Sequence, residues 1–347
     1  MGEPSADTPR DIKKLRNARE VSLVGDFLSV APDSESGQLF VGNNAGKVYQ
    51  IDLAACDNSL PAVIEAHISF VSSLTIAGDY LISAGSDHRL VWWERRTREK
   101  VREFEGHPQW IRQIALSPDG AILASVCDDM VGRLFDSQTG ELVRELRGEH
   151  ELLNPYHLRS KLYSCVFSPD GCHIATADQA GRMVVWEVST GKKVSRVESP
   201  LFCTWDTNGH TYGGIRSIDF SPDGRLLAAG GNLAGDTSNV SGSKALIQIY
   251  NWKSGEQTHD FRDGNFFFER IKFHHRNEWL LGAAGAGSEQ KLVFFDLDKK
   301  VIAHQMDSGM LTFDLVLGNA STTLFTVGRR GTSTVDTKGT LVEWSMA

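Results

Sequence analysis

Ser117-Pro118-Asp119-Gly120 recurs as Ser168-Pro169-Asp170-Gly171 and again as Ser221-Pro222-Asp223-Gly224. An apolar run precedes each copy (Ile114–Leu116, Cys165–Phe167, Ile218–Phe220) and another follows it (Ile122–Ala124, His173–Ala175, Leu226–Ala228). Proline presets φ for the corner and glycine takes the positive-φ position, so each copy predicts a tight turn between two strands. A strand–turn–strand unit that returns along the chain decides the architecture before any single motif can.

Outward from these corners, each unit closes with a short apolar run ending in a large residue: Ile51, Trp93, Phe135, Trp186, Tyr250, Phe295 and Trp344. The first two gaps are both 42 residues, the length of a four-stranded propeller blade, and the later gaps are that unit plus insertions. Seven units account for almost all 347 residues. The spacing predicts an all-β, seven-bladed β-propeller with blades near 20–60, 61–104, 105–146, 147–198, 199–261, 262–306 and 307–347. The last unit stops three residues after Trp344, which leaves no chain for its outer strand. Residues 11–19 are expected to supply that strand, after a flexible segment 1–10, so that both ends of the chain meet in one blade of a single domain.

Composition agrees with a packed domain. Hydrophobic residues make up 41% of the chain and charged residues 23%, which excludes a wholly disordered chain, a collagen or a coiled coil. The net charge of −8 argues against a broad phosphate-binding surface, so no nucleic-acid partner is expected. The five cysteines, Cys56, Cys127, Cys165, Cys172 and Cys203, contain no C-x-x-C pair and read as free thiols in a reducing compartment. No secretory leader is visible in the first twenty residues, and no run reaches the ~20 apolar residues of a membrane span. The expected location is cytoplasmic, with no membrane partner, and the chain is read as a monomer by itself.

The repeats resemble WD40 repeats. The second unit carries His67, Ser83, Asp87 and Trp93 at that family's four hydrogen-bonding positions, with Glu94 after the tryptophan. The third carries Gly106-His107, Ser125 and Asp129, with Phe135-Asp136 in place of Trp-Asp. The fourth keeps Thr176 and Trp186 but has Ala180 where the aspartate belongs, and the first has Ala45 and Ile51. His67, Ser83 and Asp87 are also the residue types of a hydrolytic triad. The resemblance implies instead a structural tetrad, and the same holds for His107, Ser125 and Asp129. Buried polar groups must be paired, and such a network locks a blade.

In the resembled fold the strand A–B and C–D turns share one face, and the D–A and B–C connections share the other. Nearly all the extra length falls in the second set: 148–161, 199–214 and 232–244, with smaller extensions at 284–290 and 328–339. Loops elaborated on a rigid scaffold are where binding usually sits. Two of these carry Tyr156 and Arg159, and Trp205, His210 and Tyr212, residue types enriched at interface hot spots; the alternative is that they cap the open side of the ring. Aligned first strands put Phe70, Trp110 and Phe267 at one position near the channel mouth, with Lys161 and Gly214 in the intervening units, and Arg112 and Arg216 two residues further on. An aromatic and cationic mouth suits a peptide or an acidic side chain, whereas the same aromatics could serve only to pack between blades.

Other motifs carry little chemistry. His150-Glu151-Leu152-Leu153-Asn154 misses the second histidine of a helical H-E-x-x-H zinc site, and Pro155 interrupts a helix. Nucleophile-elbow and phosphate-loop signatures do not occur, and Gly285-Ala286-Gly287 lacks the third glycine of a dinucleotide fingerprint. His274-His275 and Arg95-Arg96 read as solvated. No cofactor, metal or catalytic residue is expected. The functional reading is a non-catalytic scaffold that binds a partner protein or peptide on the top face; the alternative is a propeller enzyme, or a small-ligand or metal-binding protein, that uses the central channel.

Overall fold

The computed structural model describes residues 12–54, 61–154, 157, 159–205, 211–233, 244–287, 289–318, 323–331 and 337–346. These form seven antiparallel sheets, each one blade. The innermost strands are Phe27–Pro32, Val71–Ala77, Ile111–Leu116, Leu162–Phe167, Thr211–Phe220, Phe266–Phe273 and Leu311–Leu317. Each packs against the next, and the last against the first, so the sheets form a closed ring. Blades 1 to 7 below follow that order.

The three Ser-Pro-Asp-Gly corners are built alike. Ser117 Oγ donates to Asp119 at 2.6 Å and accepts the Ile122 N–H at 2.8 Å, while Gly120 takes φ +75°. The aspartate and serine therefore hold the turn in the conformation that the glycine permits. The core lies between blades, where both faces of each middle strand are covered: Leu39–Asn43, Ile122–Cys127 and His173–Asp178 are buried almost throughout. Outer strands alternate exposed and partly buried residues, as in Lys100–Phe104 and Lys193–Glu198. Charged outer edges discourage edge-to-edge pairing with another chain.

The ring closes through the N-terminal segment, at a later position than expected. Leu15–Val24 pairs with Lys338–Met346, from Leu15 opposite Met346 to Val24 opposite Lys338. Ile12–Lys14 is a short 3-10 turn, and Asp11 lies outside the described residues. The difference has a local cause. Leu15 is buried beside Trp344, and Val21 and Leu23 cover the outside of blade 7 against the first blade's core, so two of the three apolar residues that anchor the strand lie beyond Arg19.

A belt of side chains ties the inner strands around the channel. Ser29 Oγ donates to the Val71 carbonyl (3.0 Å) and Ser73 Oγ to the Ile114 carbonyl (3.5 Å). Gln113, Ser164 and Ser217 accept the N–H groups of Cys165, Ile218 and Ile271 at 3.1–3.2 Å. Arg270 then donates to Asp314 at 2.8 Å, and Asp314 accepts the Val30 N–H at 3.0 Å. Each bond crosses from one blade to the next, and the seventh returns to the first. The channel along these strands has a volume of about 470 Å³.

Candidate functional site

Every inner strand carries a bulge near the end at which the chain enters it. The extra residues are Leu28, Ser72, Arg112, Tyr163, Arg216, Glu269 and Phe313. A bulge leaves one residue outside the ladder and re-aims its side chain. Repeated seven times, it sets a ring of side chains immediately above the belt.

Five blades of that ring form one stacked series. Phe70 and Trp110 stand half-exposed, at 44% and 42%, with ring centroids 6.2 Å apart. The Arg112 guanidinium carbon lies 4.7 Å from the Trp110 ring and 4.9 Å from that of Tyr163. Arg216 lies 4.6 Å from Tyr163 and 5.2 Å from Phe267. Guanidinium over an aromatic face is attractive by about 0.5–2 kcal/mol per contact, depending on desolvation. Asp128 holds Arg112 in place from its edge, accepting from Nε at 2.7 Å and Nη2 at 2.6 Å.

Of the residues expected at the mouth, the structure brings Phe70, Trp110, Arg112, Arg216 and Phe267 together. Tyr163, the rung between the two arginines, escaped the sequence reading; the Arg112/Arg216 column points to it, since the blade between them must fill the same position. Arg159 is exposed and stands opposite Leu153 in an isolated bridge. Trp205 and Tyr212 lie on a hairpin in which Cys203–Trp205 adds a fifth strand to blade 5. Tyr156 and His210 fall outside the described residues. Ile68, Leu152 and Leu153 are large exposed apolar residues in the D–A connections of blades 2 and 4. Their signal is their place directly after His67 and His150-Glu151.

The tetrad of blade 2 is complete. His67 Nδ1 meets Asp87 at 2.9 Å, His67 Nε2 meets Ser83 Oγ at 2.8 Å, and Trp93 Nε1 donates to Ser83 Oγ at 2.9 Å. Burial works to raise the Asp87 carboxyl, but its bonds to His67, Arg89 and the Ile68 N–H outweigh this and hold it below the usual carboxylate range. Ser83 is fully buried with both partners in place, so it offers no reachable nucleophile.

Blades 3 and 4 differ from the sequence reading. His107 bonds Ser125 at 2.8 Å, but Asp129 turns both oxygens to Arg133 and leaves His107 Nδ1 without a partner. Burial, with Arg133 nearby, pushes the His107 imidazole down to about 3. Blade 4 has a full network where only a fragment was expected. His150 joins Asp178 and Thr176 at 2.8 Å each, and Trp186 Nε1 donates to Thr176 at 2.8 Å. Asp178, two residues before Ala180, supplies the missing carboxylate, and His150 is a tetrad member rather than a remnant of a zinc motif.

Two further readings change. Arg95 is buried, 5% exposed, and pairs with Asp33 of blade 1 at 2.8 Å, while its neighbour Arg96 is exposed. His274 is buried against Trp279 in a stacked pair 4.4 Å apart. Of the thiols, Cys127 and Cys165 are buried and pushed up to about 12 by desolvation, a state that suppresses nucleophilicity. Cys172 is exposed, and Cys56 lies outside the described residues. Among the described residues, no three His, Cys, Asp or Glu side chains gather as a metal site would require, and no helix is long and apolar enough to cross a membrane.

A closed ring of seven antiparallel sheets, locked by His–Ser/Thr–Trp networks and open at a mouth of aromatics and arginines, defines the molecule as a seven-bladed β-propeller. Residues 98–136, 152–187 and 201–238 match the family described as "WD domain, G-beta repeat", which supports the resemblance of these repeats to WD40 repeats. It is 27% identical over 206 residues to WD repeat-containing protein 1 of Rattus norvegicus, covering 48% of this chain and 33% of that protein. Eukaryotic translation initiation factor 3 subunit I of Bombyx mori is 30% identical over 146 residues, 41% of each chain. Apoptotic protease-activating factor 1 of Rattus norvegicus is 25% identical over 207 residues, 57% of this chain and 15% of that one. The chain spans less than half the length of each of these relatives.

Proposed function

We propose that this propeller is a non-catalytic interaction scaffold that holds a partner protein or peptide on its top face, at the channel mouth. The observation that carries the reading is the exposed Phe70–Trp110 pair continued by Arg112, Tyr163, Arg216 and Phe267. Half-exposed aromatics backed by rigid strands supply contact area at small conformational cost, and aromatics with arginine are the residues that dominate interface energetics. The exposed Ile68, Leu152 and Leu153 extend the same face. WD40 propellers typically serve as protein-interaction scaffolds, which supports the same class of role. The inserted loops of blades 4 and 5, a cytoplasmic location and a monomeric state belong to this proposal as well.

Selection of a randomised peptide-display library on the purified protein tests it. Peptides enriched on the wild type are expected to lose binding at least tenfold to a Phe70→Ala/Trp110→Ala variant and to keep it with Arg225→Ala, a change at the exposed turn on the opposite face. Equal binding to all three proteins would refute the assignment of the face. Enrichment that depends instead on the channel-lining Arg270 or Lys272 would favour a ligand held within the ring.

A further inference from the structure

The two arginines of the mouth are not equivalent. Arg112 already satisfies a carboxylate, with Asp128 accepting from both Nε and Nη2. Its charge is thereby matched within the protein, and it acts as a fixed spacer between Trp110 and Tyr163. Arg216 sits in the same stack with its faces against Tyr163 and Phe267, but among the described residues no carboxylate is paired with it. Its Nε is buried without a hydrogen-bond partner. Glu269, the bulge residue of the next blade, reaches it only through longer-range attraction.

A guanidinium clamped by rings on its faces still presents N–H donors along its edge, in the fork geometry that fits a carboxylate with two parallel bonds. A buried donor left unsatisfied disfavours the empty state, so a ligand that supplies an acceptor there removes that cost on binding. The neighbouring ring positions reinforce the sign of the ligand. Lys161 lies at the blade 4 position equivalent to Trp110, and Arg159 is exposed two residues before it.

From these contacts we infer that the top face recognises an acidic peptide segment, with an Asp or Glu carboxylate taken by Arg216 and an adjacent aromatic or aliphatic side chain laid on Trp110 and Phe70. This rests on the top-face reading above and names the chemistry of its partner. Arg216 is the specificity-determining group, Arg112 a positioning residue, and Glu269 a neighbouring negative charge that opposes the ligand carboxylate.

The library selection described above decides it through the composition of the enriched peptides. Sequences selected on the wild type should carry Asp or Glu within two residues of an aromatic or large aliphatic residue. The best of them, synthesised with a fluorophore, should bind Arg216→Gln at least tenfold more weakly, and replacing its acid by the amide should cost the same factor on the wild type and little on the variant. Glu269→Gln, which leaves Arg216 in place, should tighten binding severalfold and steepen its salt dependence; this arm answers even if Arg216→Gln does not fold. Enriched peptides without acids, or an acid whose loss is felt equally by wild type and Arg216→Gln, would overturn the inference while leaving the top-face scaffold standing. Absence of any enriched peptide on the wild type would count against both.

Discussion

Arg270 donates to Asp314 at 2.8 Å across the boundary between blades 6 and 7, and the other oxygen of Asp314 accepts the Val30 N–H of blade 1 at 3.0 Å. One carboxylate therefore joins the last two blades to the first. Elsewhere the same place in the belt is filled by serine or glutamine, which need no counter-charge.

Asp314→Ala is expected to lower unfolding stability by about 2 kcal/mol, because it strands a mostly buried guanidinium and an N–H together. Replacing the pair by Asp314→Leu with Arg270→Met should cost less than the single change, since no charge is then left unpaired. Denaturant titrations of the three proteins check the order.

Closure by Leu15–Val24 makes the first strand part of the last blade. Deleting residues 12–24 uncovers Lys338–Met346 and the apolar surfaces that Leu15, Val21 and Leu23 cover. A fall in melting temperature of more than about 10 °C is expected, with recovery when a peptide of residues 12–24 is added at high concentration. An unchanged melting temperature would contradict the closure.

The histidine networks give a pH signature. His107 is held neutral, its imidazole down at about 3 against an ordinary 6.5. As pH falls below 6.5 the unfolded chain gains a proton that the folded protein refuses, so stability declines by up to about 1.4 kcal/mol per pH unit until pH approaches 3. Asp87 has the usual carboxylate sign: its contribution is present above its ordinary value of 3.8 and is lost as pH drops further. His107→Gln should flatten the stability profile between about pH 6 and 3, measured by urea unfolding, while leaving the carboxylate contribution to the loss below 3.8 in place.

In blade 4, Asp178→Ala removes the Nδ1 partner of a buried histidine and should cost about 3 kcal/mol. Asp129→Ala in blade 3 leaves the His107–Ser125 bond intact and should cost less through the histidine network, its main loss being the Arg133 pair. Comparative thermal unfolding of the two variants distinguishes them.

How far the sequence could be read follows from the range of each interaction. The corners, the seven large closing residues and the blade 2 tetrad are local or periodic signals, and they were sufficient for the fold. Asp178 was overlooked because it reaches His150 from two residues before the repeat's usual place, a shift that only the backbone reveals. Arg95 looked solvated because its partner Asp33 is 62 residues earlier in the chain, on another blade. Tyr163 became visible as a rung only when the bulge set it between two arginines from neighbouring blades. Phe70, Trp110 and Phe267 share one column because a repeat alignment preserves position around the ring, whatever the residue type.

The most direct measurement of the central claim is hydrogen–deuterium exchange of the full chain with and without the best enriched peptide bound. Slowed exchange is expected in segments spanning 68–72, 108–113, 161–164 and 214–217, at the entrances of the inner strands of blades 2 to 5, with no change in the Ser-Pro-Asp-Gly corners on the opposite face. Protection confined to those corners, or to the outer strands, would contradict the assignment of the channel mouth as the binding site.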